Sequence, residues 1–160
     1  MADVFTASGT KVFIGPPVTA TPANAAAYAA LSWVEIGMIE SVGEFGDEES
    51  LVTGAVIGDG RMRKSKGAAD AGELPLTMFH AADDAGQAAL LAAQATKNNY
   101  AFKVELPNKL NPTGTNELQY FKGLVRGKRL NVGQNDNLVR RTVTVAINSA
   151  ITEVAPTAGV

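Results

Sequence analysis

Short runs of β-branched and aromatic residues, each stopped by glycine, proline or a polar turn, recur along this chain, while only one stretch has clear helical spacing. That imbalance restricts the fold more than any other feature. "KVFI" at 11–14 reads as a strand stopped by "GPP". "SWVEIGMIESVGEF" at 32–45 reads as one or two strands, with Gly37 and Gly43 marking a bend or bulge. "ELPLTMFHA" at 73–81 places Leu74, Leu76 and Met78 on one face, and Pro75 suits an edge. Residues 100–107 alternate again. Residues 117–133 read as a long strand bent at glycine, with Leu118, Tyr120, Leu124 and Val132 among polar residues. They pair through "GQNDN" with 137–149, where Val143, Val145 and Ile147 share a face. The clear helix is 82–96, capped by Asp83 or Asp84, with Ala88, Leu91, Ala92 and Ala95 on one stripe and Leu90 beside it. Residues 16–30 read as a loop with a helical turn at 24–30, and 150–160 as a small, mobile tail. Strands that do not alternate with helices do not build a parallel sheet. The expected fold is therefore mainly β (α+β): an antiparallel β-sandwich or barrel-like pair of sheets with one flanking helix. All 160 residues suit one domain.

Residues 46–72 stand apart. They hold six glycines, a "GDG" turn at 58–60 and the β-forming "LVTGAVI". A loop this long is uncommon inside a compact domain, and an extended hairpin leaving the body explains it. Its charges are segregated: Asp47, Glu48 and Glu49 at the root, then Arg61, Arg63, Lys64 and Lys66, then Asp70. An arm of this kind suits charge-complementary contact between copies of one protein. The same charges could pair within the hairpin. A grip on nucleic acid fits less well, because no aromatics are interleaved for base stacking. The three adjacent carboxylates lack the alternating spacing of a calcium loop.

Little else points to chemistry. The formal net charge is −2 and the pI about 5.4, against a chain dedicated to gripping phosphates. The chain has no cysteine and one histidine, His80, so thiolate metal sites and serine–histidine catalysis have no support. "GLVRGKR" at 123–129 lacks the spacing and the Ser or Thr of a phosphate loop. Asp83 and Asp84 read as helix caps rather than an acid pair. No enzyme, cofactor or metal is expected. No apolar run nears the ~18 residues of a membrane helix. The opening "MADVFTASGTKVFIG" does not look like a signal peptide, so a soluble protein made in a cytoplasm is expected.

The order of these features resembles the major tail tube protein of long-tailed, non-contractile bacteriophages. "WVEIGMIESVGEFG" is followed by a long hairpin, then by "KGAADAGELPLTMFHAADDAGQAALLAA" and a final β-hairpin. The likeness spans roughly residues 10 to 150, and its most specific part is 66–93. It implies six-subunit rings whose inner strands join in a barrel around a lumen. The rings stack into a tube that encloses the tape measure protein and conducts the genome into the host. Tail-tip and tail-terminator proteins are the further partners implied; the virion is the location, after synthesis in the host bacterial cytoplasm. The loop at 46–72 would contact the neighbouring subunit and the adjacent ring through Asp47, Glu48, Glu49, Arg61, Arg63, Lys64, Lys66 and Asp70. DNA would pass without specific binding, and mild acidity would help it slide. An appended immunoglobulin-like domain is not expected. The rivals are a tube protein of a contractile tail or secretion system and, without assembly, a monomeric β-sandwich module binding nucleic acid or carbohydrate. Trp33 as the one tryptophan, with 6% aromatic residues, gives the module little support.

Overall fold

The computed structural model describes residues 3–160, which form ten strands and two helices. In chain order these are β1 (Lys11–Pro17), α1 (Ala25–Ala29), β2 (Val34–Ile36), β3 (Ile39–Val42), β4 (Glu48–Val56), β5 (Asp59–Asp70), β6 (Glu73–Phe79), α2 (Ala85–Gln94), β7 (Tyr100–Leu106), β8 (Glu117–Asn131), β9 (Arg140–Ile147) and β10 (Thr152–Val154). An eight-stranded antiparallel sheet runs β2-β1-β7-β8-β9-β6-β3, with β10 also on β8. β4 and β5 pair only with each other in that topology.

The long strand β8 joins two half-sheets. Residues 117–123 pair with β7 and 123–131 with β9, and the register slips between Val125 and Gly127. Side chains from both halves meet in one core, among them Phe102, Val104 and Phe121 from one and Leu76, Met78 and Val143 from the other. The sheet thus folds over on itself, giving the sandwich expected from strands with one apolar face. Burying each of these side chains contributes about 1.5–3 kcal/mol. A smaller cluster lies on the opposite face of the β1–β7–β8 half. There Tyr28 of α1 stacks on Tyr120 with ring centroids 5.2 Å apart, beside Ala101.

α2 closes the core against β8, β2 and β1. Its cap is Asp84, whose side chain accepts from the Gln87 amide at 2.8 Å. The buried stripe is Gly86, Gln87, Leu90 and Ala93, so the stripe of Ala88, Leu91, Ala92 and Ala95 read from spacing is not the packed one. An alanine-rich helix offers nearly equivalent faces, and the position of Leu90 decides between them. Gly86 is needed on this stripe: a Cβ there would lie 2.2 Å from the Glu35 carbonyl oxygen.

Pro75 is not on an outermost strand, since β6 lies between β9 and β3. Its carbonyl accepts from the Gly43 amide at 2.8 Å, at the end of β3. A strand residue points its N and O to the same side, so the missing N–H falls where β3 stops rather than toward β9. Gly43 leaves room for the ring; a Cβ there would be 2.1 Å from Pro75 Cγ. The tail is also tied down. Thr152–Val154 continues along β8 beyond the end of β9, and Thr115 bridges to Thr157. β8 has an edge to fill there, and the β-formers of "ITEV" fill it.

Candidate functional site

The excursion at 46–72 is a β-hairpin. Val56 pairs with Asp59, so Ile57 and Gly58 make the turn. Every residue of β4 and all but Asp59 of β5 are exposed. The nine residues of β4, at about 3.4 Å each, reach about 30 Å. Leu51, Ala55 and Met62 share one face with Lys64 and Lys66, whereas Val52 and Val56 lie on the other with Arg63. Ile57 is fully exposed at the tip. A two-stranded hairpin alone is marginal in water, and this one also exposes Leu51, Val52, Val56, Ile57 and Met62.

The residues singled out in the sequence all fall on this hairpin, but they do not form one cluster. Asp47 immediately precedes β4, and Glu48 faces Asp70 across the ladder. The Asp70 carboxylate accepts from the Gly72 amide at 3.0 Å. Glu49 and Lys66 form an ion pair at 2.5 Å, and Arg63 pairs with Asp59 at 2.7 Å. Some of the arm's charge is therefore spent within the hairpin. Arg61 and Lys64 form no ion pair among the described residues, and they stand toward the outer end, away from the acidic root.

A second surface was not singled out in the sequence. The half-sheet β3-β6-β9-β8 buries Leu74, Leu76, Met78, Val143 and Val145 on one face. Its other face is crossed by rows in register: Ser41–Thr77–Thr142–Arg129, Pro75–Thr144–Gly127 and Glu73–Ala146–Leu124. α2 packs on the core side, where Leu90 and Ala93 join the buried cluster, and α1 lies by β10. Two ion pairs span the strands, Glu73 with Arg126, and Glu40 with Arg140 at 2.6 Å. The Arg140 hydrogen bond holds the Glu40 carboxyl below the usual carboxylate range, and the same bond pushes the Arg140 guanidinium up. Among the described residues, both lateral edges of this half-sheet are open. β3 ends the strand order, and residues 124–131 of β8 extend past β7, which pairs only as far as Gly123. The alternation of Thr142 and Thr144 with Val143 and Val145 was the sequence signal for a two-faced sheet; the open edges left none.

The phage tail tube protein family model matches residues 18–156. The chain belongs to the phage tail tube protein family. It is thus a structural protein of the bacteriophage virion. A search of curated proteins finds no match. The fold is similar to that of the SPP1 tail tube, with a TM-score of 0.63 at 14% identity over 91% of this chain and 76% of that one. It is also similar to a chain of the sheath/tube terminator of an extracellular contractile injection system, PVC, in the extended state (TM-score 0.70, 9% identity, 96% and 99% covered). The anti-feeding prophage baseplate contains a third such fold (TM-score 0.66, 10% identity, 97% and 98% covered).

Proposed function

We propose that copies of this chain join edge to edge into six-membered rings, and that the rings stack into the hollow tail tube. The observation that carries this reading is the half-sheet β3-β6-β9-β8 with both edges open. Strand directions alternate across it, because every pairing is antiparallel. With four strands, β3 of one copy runs opposite to β8 of the next, so the joint continues the antiparallel pattern. Such a head-to-tail interface closes into a ring when the rotation permits. An exposed edge is otherwise an aggregation liability, and a closed barrel removes it. Six copies supply about twenty-four strands; at ~4.8 Å spacing and a tilt of about 40°, their barrel is about 48 Å across between backbones. That width admits a nucleic-acid duplex, or a tape measure protein during assembly.

The hairpin β4–β5 is the second contact. Its apolar rows and the cations Arg61, Arg63, Lys64 and Lys66 reach the neighbouring subunit or the adjacent ring, with Asp47, Glu48, Glu49 and Asp70 at the root. Tail-tip and terminator proteins close the ends of the stack. The role is structural rather than enzymatic. A tube of a contractile system shares this fold, so what separates the two readings is a sheath-binding outer surface. Negative-stain electron microscopy of concentrated protein tests the assembly. Hollow tubes or stacked rings of uniform width are the expected result. Monomer-sized particles at every concentration, even when seeded with a tail initiator complex, count against it.

A further inference from the structure

The uncovered face of β3-β6-β9-β8 carries Glu40, Glu73, Arg126, Arg129 and Arg140, and two of its three arginines are held in ion pairs. Arg126 sits in the bulge between Val125 and Gly127 and reaches across to Glu73. Arg140 is held by both carboxylate oxygens of Glu40, at 2.6 and 3.1 Å, while its guanidinium lies 5.2 Å from the Phe79 ring centroid. Only Arg129 lacks an ion-pair partner among the described residues. The rest of the face is threonine, serine, alanine, glycine and proline, with Leu124, Phe79 and Asn131 toward its ends. Glu44 and the hairpin-root residues Asp47 and Glu48 line the same depression as Glu73, at the border of this face.

We propose that this face is the track along which a duplex polyanion slides, and that Glu40 and Glu73 make it non-adhesive by neutralising Arg140 and Arg126. This rests on the tube reading, and deepens it by naming the lining and how it avoids holding its cargo. Three free guanidinia on one subunit, repeated around a ring, would bind phosphates at many points at once. Paired with carboxylates two strands away, Arg126 on β8 with Glu73 on β6 and Arg140 on β9 with Glu40 on β3, they keep the face polar and wettable but leave little net attraction. The mechanism is cancellation of charge on the face itself.

The test uses the unassembled chain and a fluorescent 20-base-pair duplex at low salt, read by anisotropy. The comparison is E40Q/E73Q against E44Q/E153Q, which removes two exposed carboxylates that form no ion pair among the described residues. Both variants change net charge equally. Only E40Q/E73Q is expected to bind, at least tenfold more tightly than the unaltered chain, with affinity falling steeply as salt rises. The swap E73R/R126E, which restores one pair in reverse, is expected to stay non-binding, so a folding defect in the glutamine variant does not decide the matter. Equal binding by both glutamine variants, binding by neither, or binding by the unaltered chain as tight as that of E40Q/E73Q overturns the proposal. The readout needs no tubes, so its failure and a failure to assemble are seen separately.

Discussion

At the residue scale, a polar side chain decides how the helix sits. Gln87 is buried on α2, yet it is fully engaged. Its carbonyl oxygen accepts from the Ala81 amide at 3.1 Å, and its amide donates to the carbonyls of Gly37 at 3.1 Å and Phe79 at 2.8 Å. Asp84 adds a bond from the Gly37 amide at 3.1 Å. Together they fix the β2–β3 corner, where Met38 has a φ of 58°, a conformation uncommon outside glycine. Gln87→Leu leaves three backbone groups unpaired and is expected to cost about 2–3 kcal/mol. Calorimetry should show a Tm lower by about 4–12 °C; an unchanged Tm would mean water replaces the amide. The Asp84 cap was legible in the sequence, but the buried contacts of Gln87 were not, because nothing local marks a helix glutamine as core-facing. Glu40 gives a second residue-scale prediction. Its folded pKa is depressed, so its contribution is present above the unfolded carboxylate value of about 4.3 and is lost as pH falls through the lower folded value. Arg140→Gln removes the cause, and an NMR titration of the Glu40 carboxyl should move up toward the ordinary range.

At the element scale, the hairpin was the most legible part of the molecule and the tail one of the least. Six glycines and a turn signal within β-forming residues predict a hairpin outside the body, and β4–β5 is that hairpin. The reason is local: turn chemistry and strand propensity act within a few residues of each other. The tail read as mobile because its strand β10 exists only beside an edge of β8, an arrangement no local pattern encodes. The helix stripe failed similarly, since alanine on every side leaves packing partners to choose the face. The hairpin's exposure carries a prediction of its own. Its residues are exposed in all but Asp59, so amides of 48–70 in the unassembled chain should exchange far faster than those of β6 and β9. Assembly should protect them. Reversing Arg63 and Lys64 to Glu should block tubes while leaving the melting temperature within a degree or two, because these exposed side chains are not part of the core. Normal tubes from that variant would remove these charges from the contact.

At the scale of the whole molecule, the two open edges matter more than any single side chain. A sheet that ends on both sides in unpaired backbone, with an even number of strands between, is a repeating unit that another copy can extend. The sequence predicted most strands and the β8–β9 hairpin but not β10 or the order across the sheet, because register between distant segments depends on contacts that composition does not record. Once the order is known, the row Ser41–Thr77–Thr142–Arg129 runs straight across the half-sheet on its uncovered face. Its two ends, Ser41 on β3 and Arg129 on β8, belong to the edges that meet in the proposed joint. The chain has no native cysteine to interfere. A double variant, Ser41→Cys with Arg129→Cys, places thiols on the same face of opposing edges. A disulfide requires Cα atoms about 4.4–6.8 Å apart, a distance that neighbouring strands provide. Mild oxidation of assembled tubes should therefore give a ladder of covalent multimers on a non-reducing gel. Each single variant should give none. A ladder ending at six would fix the ring number, and one rising without limit would indicate an open helical stack. If the tubes form but no cross-link does, neighbouring positions 127 and 131, on the same face of β8, test the alternative registers. Silence at all three would mean that copies meet through some surface other than these edges.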